Sequence, residues 1–483
     1  MPSRAEFKTQ KHKKSIVRLH AKKLSPKKDG ELQKKQTEQV TQSLLGKFHK
    51  AFIENPKNIL AMNAVTTTSV HNVAKNRQVV NATNHIFSHV LKAGESTSQN
   101  SSGRCWLFAG LNPLRAALMK KHKLDDKFEL SQNYLMFYDK LEKSNFFLEN
   151  ILRTLDEPVG SRLLDWLLMS PIQDGGQWDM FLNLVRKYGV VPKAFMPETD
   201  SSSNTGLMNA LVTAKLREFA HTLRRYAEKG AKMNALREEK LRMMETIYRM
   251  LAIHLGEPPQ KFYWQWRDKE NKFHREGWMT PLEFYEKYIA SELESKICLI
   301  HCPQKSKKFN TLYTIDFLGN VVGGDIIRYL NVELPILKQA AIEQILSGEA
   351  VWFGCDVGKM LDRDLGILDM KLYDYESVYG TKPKLNKAER LDYGQSAMNH
   401  AMVFVGVDLD EKKRPRKWRV ENSWGDKGGD KGFLVMSDDW FDEYVYEVAV
   451  NKKFLPKKLL PILETEPVRL PPWDPMGALA IAP

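Results

Sequence analysis

The sequence predicts an α+β fold, helical in its first half and built of short strands in its last third. Three observations predict it. The run Trp106-Leu-Phe-Ala-Gly-Leu-Asn-Pro-Leu-Arg-Ala-Ala-Leu-Met119 is apolar and mostly helix-compatible, with Pro113 as a kink or the start of a new turn. Residues 207–255 set Leu216, Phe219, Leu223 and Tyr226 at helical spacing, an amphipathic pattern whose apolar stripe faces a core. Residues 348–450 alternate in β-like runs such as Ala401–Val407 and Trp418–Val420. Between these lies a mixed stretch, 260–345, with strand-like segments at Ile297-Cys-Leu-Ile300 and Leu312-Tyr-Thr-Ile315.

The chain of 483 residues carries a net charge of +14, unevenly spread. Residues 1–35 hold 12 Lys or Arg against three acidic residues, so +9 of the excess sits there. Such a segment is expected to be disordered. It reads first as a solvated tail, then as a nucleic-acid or nuclear-import patch, and last as a transit peptide, because transit peptides favour Arg and this one has ten Lys against two Arg. No secretory signal is seen, and no run approaches the ~18 apolar residues of a membrane span. Four cysteines make a disulfide scaffold unexpected and point to a reducing compartment. The expected localisation is cytoplasmic, with nucleus or mitochondrion left open by the basic start.

Chemistry concentrates in three segments. Gln99-Asn-Ser-Ser-Gly-Arg-Cys-Trp106 puts a cysteine before a tryptophan, behind a Gly-Arg turn, with an amide side chain six residues upstream. Far downstream come Asn399-His400-Ala401 and Glu421-Asn422-Ser423-Trp424-Gly425. Cysteine, histidine and asparagine in this order are the parts of a thiol protease of papain type. A thiol is mostly protonated at pH 7 and attacks as the thiolate. His400 can take the proton of Cys105 and stand beside it as imidazolium. The Asn422 side-chain oxygen can accept the second N–H of the imidazole. Gln99 and the Cys105 backbone N–H are the natural oxyanion donors, one such donor being worth ~3 kcal/mol. A helix N-terminus at Cys105 would lower its pKa further. Cys105 alone would be read as a buried structural thiol and His400 alone as a core histidine; the three segments together reverse both readings.

These motifs resemble the bleomycin hydrolase family of papain-like cysteine peptidases. The resemblance spans roughly residues 55–480. Beyond the segments above it rests on Asp174-Gly-Gly-Gln-Trp-Asp179, Lys187-Tyr-Gly-Val-Val-Pro192, Val351-Trp-Phe-Gly-Cys-Asp-Val-Gly358, Asn386-Lys-Ala-Glu-Arg-Leu391 and Trp473-Asp-Pro-Met-Gly-Ala-Leu-Ala480. It implies a papain-like two-lobed core with a large helical insertion between the lobes and a C-terminal arm, assembled as a homohexamer. It also implies cysteine aminopeptidase action on peptides with a free N-terminus, and hydrolysis of bleomycin amide and thiolactones. The triad carries over to Cys105, His400 and Asn422 and the oxyanion amide to Gln99. Gly175, Gly176, Trp424 and Ala480 are the expected substrate contacts, the paired glycines because a peptide backbone can approach them closely. No cofactor, metal or membrane is implied.

The expected divisions are a basic extension (1–45), an N-terminal lobe with the cysteine (46–200), a helical and mixed insertion (201–345), a β-rich lobe with His and Asn (346–455) and an arm reaching the site (456–483). The insertion follows from spacing: 295 residues separate Cys105 from His400, against roughly 130–150 in the papain pattern. The arm matches the family through Ala480 but continues as Ile481-Ala-Pro483, which would cover Cys105 unless trimmed or bent aside.

The rival reading is a basic hexameric nucleic-acid-binding protein with secondary peptidase activity, although nothing resembles a base-reading motif. His85 and His89, four apart on a plausible helix, lack the Glu of a zincin. Cys298, His301 and Cys302 lack a second ligand pair, and Cys355 sits in an apolar strand-like run.

Overall fold

In the computed structural model the described residues are 39–293 and 295–481. They divide between two compact units, the first ending in the chain at Val73 and the second starting at Ala74. The expectations attached to the basic segment 1–38, and the final Ala482-Pro483, fall outside the described residues.

The described part of the first unit is helical, starting within the expected extension. Helix α1 (Gln42–Ile53) is capped by the Thr41 hydroxyl and α2 (Pro56–Val65) by the Asn55 side chain, with Pro56 at the first helical position. Neither helix buries a residue, and Phe48, Phe52 and Leu60 stand exposed. Helix α3 (Val70–Ala74) spans the boundary.

The second unit begins with α4 (Arg77–Ala82). The chain then leaves the helix. His85 lies in coil, and β1 (His89–Val90) pairs with Val407 and Gly406. The helix expected to carry His85 and His89 together does not form, because pairing onto the sheet extends the backbone there. Helix α5 (Cys105–His122) passes through Pro113 without ending, and stops at Lys123 in the left-handed region. The proline removes one backbone donor, while Leu111, Leu114 and Leu118 stay buried and hold the helix against the core. Around α5 lie α6 (Gln132–Arg153), α7 (Arg162–Met169), α8 (Trp178–Tyr188) and the single capped turn α9 (Asp200–Ser203).

The amphipathic stretch resolves into two helices, α10 (Gly206–Glu228) and α11 (Met233–Leu255), separated at Gly230 with φ +86°. Met208, Val212, Leu216, Ala220 and Leu223 form the buried stripe of α10, and Tyr226 is 42% exposed, outside it. A hairpin follows, β2 (Phe262–Arg267) with β3 (Phe273–Met279).

The remaining strands enter one sheet. They are β4 (Lys296–Ile300), β5 (Thr311–Ile315), β6 (Tyr329–Asn331), β7 (Val351–Cys355), β8 (Leu361–Asp362), β9 (Ile367–Leu368), β10 (His400–Leu409), β11 (Pro415–Glu421), β12 (Phe433–Ser437), β13 (Val445–Asn451) and β14 (Val468–Leu470). Their order is β14-β5-β6-β4-β13-β7-β10-β11-β12-β9-β8, with β1 on β10. Residues 296–331, placed with the insertion on sequence, therefore hydrogen-bond into the same sheet as the strands after 346.

Both faces of the central strands are apolar because both are covered. On one face Met402, Phe404, Phe353 and Val448 pack with the helix Leu334–Leu346. On the other, Ala401, Val403, Trp352 and Ala449 join the core of α5, α6 and α8. Arg115 of α5 reaches Glu421 of β11 at 3.0 Å, and Asn112 donates to the same carboxylate at 2.9 Å. This buried pair ties the cysteine helix to the strand that precedes Asn422.

Candidate active site

The loop before α5 is fixed from several sides. The Gln99 backbone N–H donates to Ser423 O at 2.8 Å, and Ser423 Oγ donates to Gln99 Oε1 at 2.6 Å. The Gln99 amide nitrogen donates to Ser102 O, and its second hydrogen remains for a ligand. Arg104, almost wholly buried, pairs with Glu198 at 2.8 Å. Asp174 accepts from Gly103 N–H at 2.9 Å, Asn209 at 2.8 Å, Lys140 at 2.6 Å and the Thr205 hydroxyl. Burial opposes its charge, but Lys140 and these hydrogen bonds hold Asp174 well below the usual carboxylate range. Asp174 thus clamps the Gly103 turn to α6 and α10, and Cys105 emerges as the first residue of α5.

His400 begins β10 and is buried. Its Nε2 lies 2.9 Å from Asn422 Oδ1. That oxygen only accepts, so Nε2 carries the hydrogen and Nδ1 is the unprotonated ring nitrogen. The Asn422 oxygen also accepts from Ser423 N–H at 2.7 Å, which fixes its direction. The next residue along β10, Ala401, donates its N–H to Cys105 Sγ at 3.4 Å. The Trp424 ring packs on His400 with centroids 5.0 Å apart. Upstream, Asn399 donates to Asp356 at 2.7 Å and accepts from Val357 N–H at 3.0 Å, pinning the start of the strand. The structure thus brings Cys105, His400, Asn422 and Gln99 to one place from three distant segments.

The C-terminal arm enters the same place. After β14 pairs with β5, the turn Pro475–Gly477 and the helical turn Ala478–Ile481 follow. Leu479 and Ala480 are buried. A Cβ added to Gly175 would stand 2.3 Å from Leu479 O, so only glycine admits the arm. At Gly176 the missing Cβ makes room for the Trp106 ring, which would lie at 2.4 Å. With its amide nitrogen toward the arm, Gln173 donates to Ile481 O at 2.8 Å and Ala480 O at 3.3 Å. Beyond, Ile481 reaches an opening of about 550 Å³ lined by Ser102, Gly103, Asp174, Thr205 and Asn209.

Exclusion of water sets the resting charges. Burial pushes the Cys105 thiol up to about 11, opposed by the Ala401 and Trp106 N–H groups. Burial pushes the His400 imidazole down to about 4, opposed by the bond to Asn422. Each is held neutral singly; charged together, thiolate and imidazolium would stabilise one another.

Sequence reasoning missed Glu447. On β13 opposite Gly354, it is buried, and neither carboxylate oxygen has a hydrogen-bond partner of full geometry. Burial pushes it up to about 8, the nearby Cys298 thiol opposing and Asp179 reinforcing the rise. The native state therefore holds this proton more tightly than the unfolded chain does. Its contribution to stability is full below about pH 4.5 and is lost as pH rises to about 8, on the order of 4–5 kcal/mol over the window. Glu447→Gln is expected to flatten denaturant-measured stability between pH 5 and 8; an unchanged slope would refute the assignment.

The cysteine and histidine residues weighed as metal ligands disperse. His301 Nδ1 bonds Val332 O at 3.0 Å, and Cys302 donates to Gln304 at 3.2 Å. Among the described residues no group of three such side chains converges, and no helix is long and apolar enough to cross a membrane.

Comparison with known proteins gives the family. The model of the Peptidase C1-like family matches residues 39–477. Bleomycin hydrolase of Rattus norvegicus is 46% identical over 435 residues, covering 88% of this chain and 96% of the rat protein. Aminopeptidase C of Listeria innocua is 44% identical over 443 residues, covering 92% of this chain and 99% of its own. The crystal structure of PepW from Lactobacillus rhamnosis superposes with a TM-score of 0.90 at 44% identity, covering 92% of this chain and all of that one. The papain-like fold follows from these matches. The chain belongs to the Peptidase C1-like family and is a cysteine-type aminopeptidase.

Proposed function

We propose that the chain removes N-terminal residues from peptides through a Cys105–His400–Asn422 triad. His400 Nδ1 takes the thiol proton as Cys105 Sγ attacks the first peptide carbonyl. The Gln99 amide and the Cys105 backbone N–H hold the oxyanion. His400 then gives its proton to the leaving amine, which departs with the shortened peptide. Water, with His400 as base, hydrolyses the thioester. Asn422 keeps the imidazole in the tautomer this needs.

The observation that carries the aminopeptidase reading is the arm on Gly175. It occupies the cleft where further residues of the acyl half would lie, so one residue alone fits ahead of the scissile bond. Its side chain would enter the opening beside Gly103 and Asp174. Trimming after Ala480, by Cys105 itself, would place a carboxylate where it can bind the substrate ammonium. Intact mass tests this: an unprocessed C-terminus in a fully active preparation would count against it.

The relatives named bleomycin hydrolase support amide hydrolysis of bleomycin, and thioester-forming chemistry suits thiolactones as well. A homohexamer is supported by the exposed Phe48, Phe52 and Leu60 of α1 and α2, an apolar face for other copies. Cytoplasmic residence suits a free Cys105. The second reading, nucleic-acid binding, rests on the +9 of residues 1–35; salt-sensitive DNA binding that survives deletion of residues 1–40 would remove its basis in that segment.

The direct test is hydrolysis of matched peptides with free and acetylated N-termini, with and without a thiol alkylator. Alkylator-sensitive cleavage of the free peptide alone is expected; equal cleavage of both would overturn the arm's role.

A further inference from the structure

Beside the paired rings of His400 and Trp424 lies a cation that neither the proposed triad nor the arm employs. Arg363 lies between β8 and β9 and is exposed. Its guanidinium carbon stands 4.5 Å from the centroid of the Trp424 ring. That ring packs on His400, and the charge of Arg363 itself acts on His400 to lower its pKa. Stacking on an indole orients a guanidinium without consuming its N–H donors, which stay available for a carboxylate. The flanking Asp362 does not neutralise it, because Lys75 holds that carboxylate at 2.6 Å. Asp364 is exposed and makes no ion pair with Arg363 among the described residues.

Direction comes from the arm. With Leu479 and Ala480 on Gly175, the acyl side of Cys105 is filled. The other half of a substrate must run past His400, which protonates its amine, and across Trp424. An extended chain advances ~3.3–3.6 Å per residue. A guanidinium one ring beyond the imidazole is then within reach of the second residue of the departing peptide. A neutral side chain there leaves the cation in water; an acidic one pairs with it; a basic one is repelled.

We infer that Arg363 is a specificity residue of the leaving side, selecting peptides with an Asp or Glu side chain at the second residue after the scissile bond. The C-terminal carboxylate of a tripeptide falls at the same place and is recognised in the same way. The inference rests on the aminopeptidase reading above.

The test compares Leu-Ala-Asp-amide with Leu-Ala-Lys-amide on the full chain, as a ratio of kcat/KM within one preparation. The amide caps remove the terminal carboxylate, so only the side chain differs. The expected ratio favours Asp by about threefold to fivefold at low salt, as for an exposed pair, and shrinks in ~0.5 M salt. Arg363→Glu should invert the preference, and Arg363→Gln should bring the ratio near one. A purely structural role for Arg363 would change both rates together and leave the ratio unmoved. Equal rates on the two peptides in the unmodified chain, or a ratio unchanged in both variants, would overturn the inference and leave the aminopeptidase reading standing. No hydrolysis of either peptide would overturn that reading and the inference with it.

Discussion

Replacing Cys105 by alanine should abolish hydrolysis while leaving the fold in place. Cys105 is the first residue of α5, and its sulfur accepts one long bond from Ala401 N–H. Losing one sulfur from a buried site costs about 1 kcal/mol, within the range of ordinary core substitutions. The catalytic loss is far larger. Without the thiolate no acyl-enzyme forms, and removal of a triad nucleophile lowers kcat by on the order of 10⁶ in the best-measured system. The expected outcome is a cooperative melting transition lowered by no more than about 2–4 °C, with peptide turnover below detection. Residual turnover above ~1% of the parent would mean that another group performs the attack. The variant also separates arm trimming from other proteolysis: Cys105→Ala should keep Ile481-Ala-Pro483 by intact mass if the trimming is its own work.

Deleting residues 478–483 should convert the chain from one that requires a free N-terminus into one that does not. Leu479 and Ala480 fill the cleft over Gly175, so an acetylated or longer acyl half has no room there. With the arm gone, the face of Gly175 it covered is open, and a peptide backbone can lie where the arm lay. The kcat/KM on acetylated peptides should rise by at least ~100-fold, because steric exclusion is removed outright. The kcat/KM on free peptides should fall about tenfold as the ammonium loses its anchor, equivalent to ~1.4 kcal/mol. Leu479 is fully buried, so the deletion also costs about 2–3 kcal/mol of stability. Acetylated peptides that remain uncleaved by a folded deletion variant would show that the arm does not define the end of the site. The same deletion uncovers Gly354, beside which Leu479 and Glu447 both lie, and should let Glu447 ionise at lower pH.

Much of this molecule was legible before any coordinates. The α+β class, the helix after Cys105 and the strands around His400 and Trp418 follow from periodicity, because a covered face must be apolar at the period of its element. The candidates for the proposed triad were legible for a different reason: a nucleophile, its base and the orienting amide are restricted to few residue types, so their order along the chain carries meaning. Gly175 was legible as a close-approach position, though not what approaches it. For Gly176, a bare glycine says that something is near, and only packing says that the Trp106 ring fills the place of its Cβ. His85 and His89 share helical spacing, yet β1 pairs with β10, and a tertiary hydrogen-bond ladder outweighs local spacing. Residues 296–331 looked like part of an insertion because sequence distance from the other strands conceals their pairing.

What the sequence by itself determined is the class of fold, helices first and a buried sheet after, and the candidates for the proposed chemistry: a thiol, an imidazole and an amide in papain order. What the tertiary structure alone decided is the environment of those groups. It brings residues 99–105, 400 and 422–424 within hydrogen-bond reach, lays the arm on Gly175, leaves Glu447 buried without a full hydrogen bond and stacks Arg363 on Trp424. The physical reason is that reactivity depends on burial and on partners a few ångströms away. Those partners come from segments hundreds of residues apart, where local periodicity carries no information.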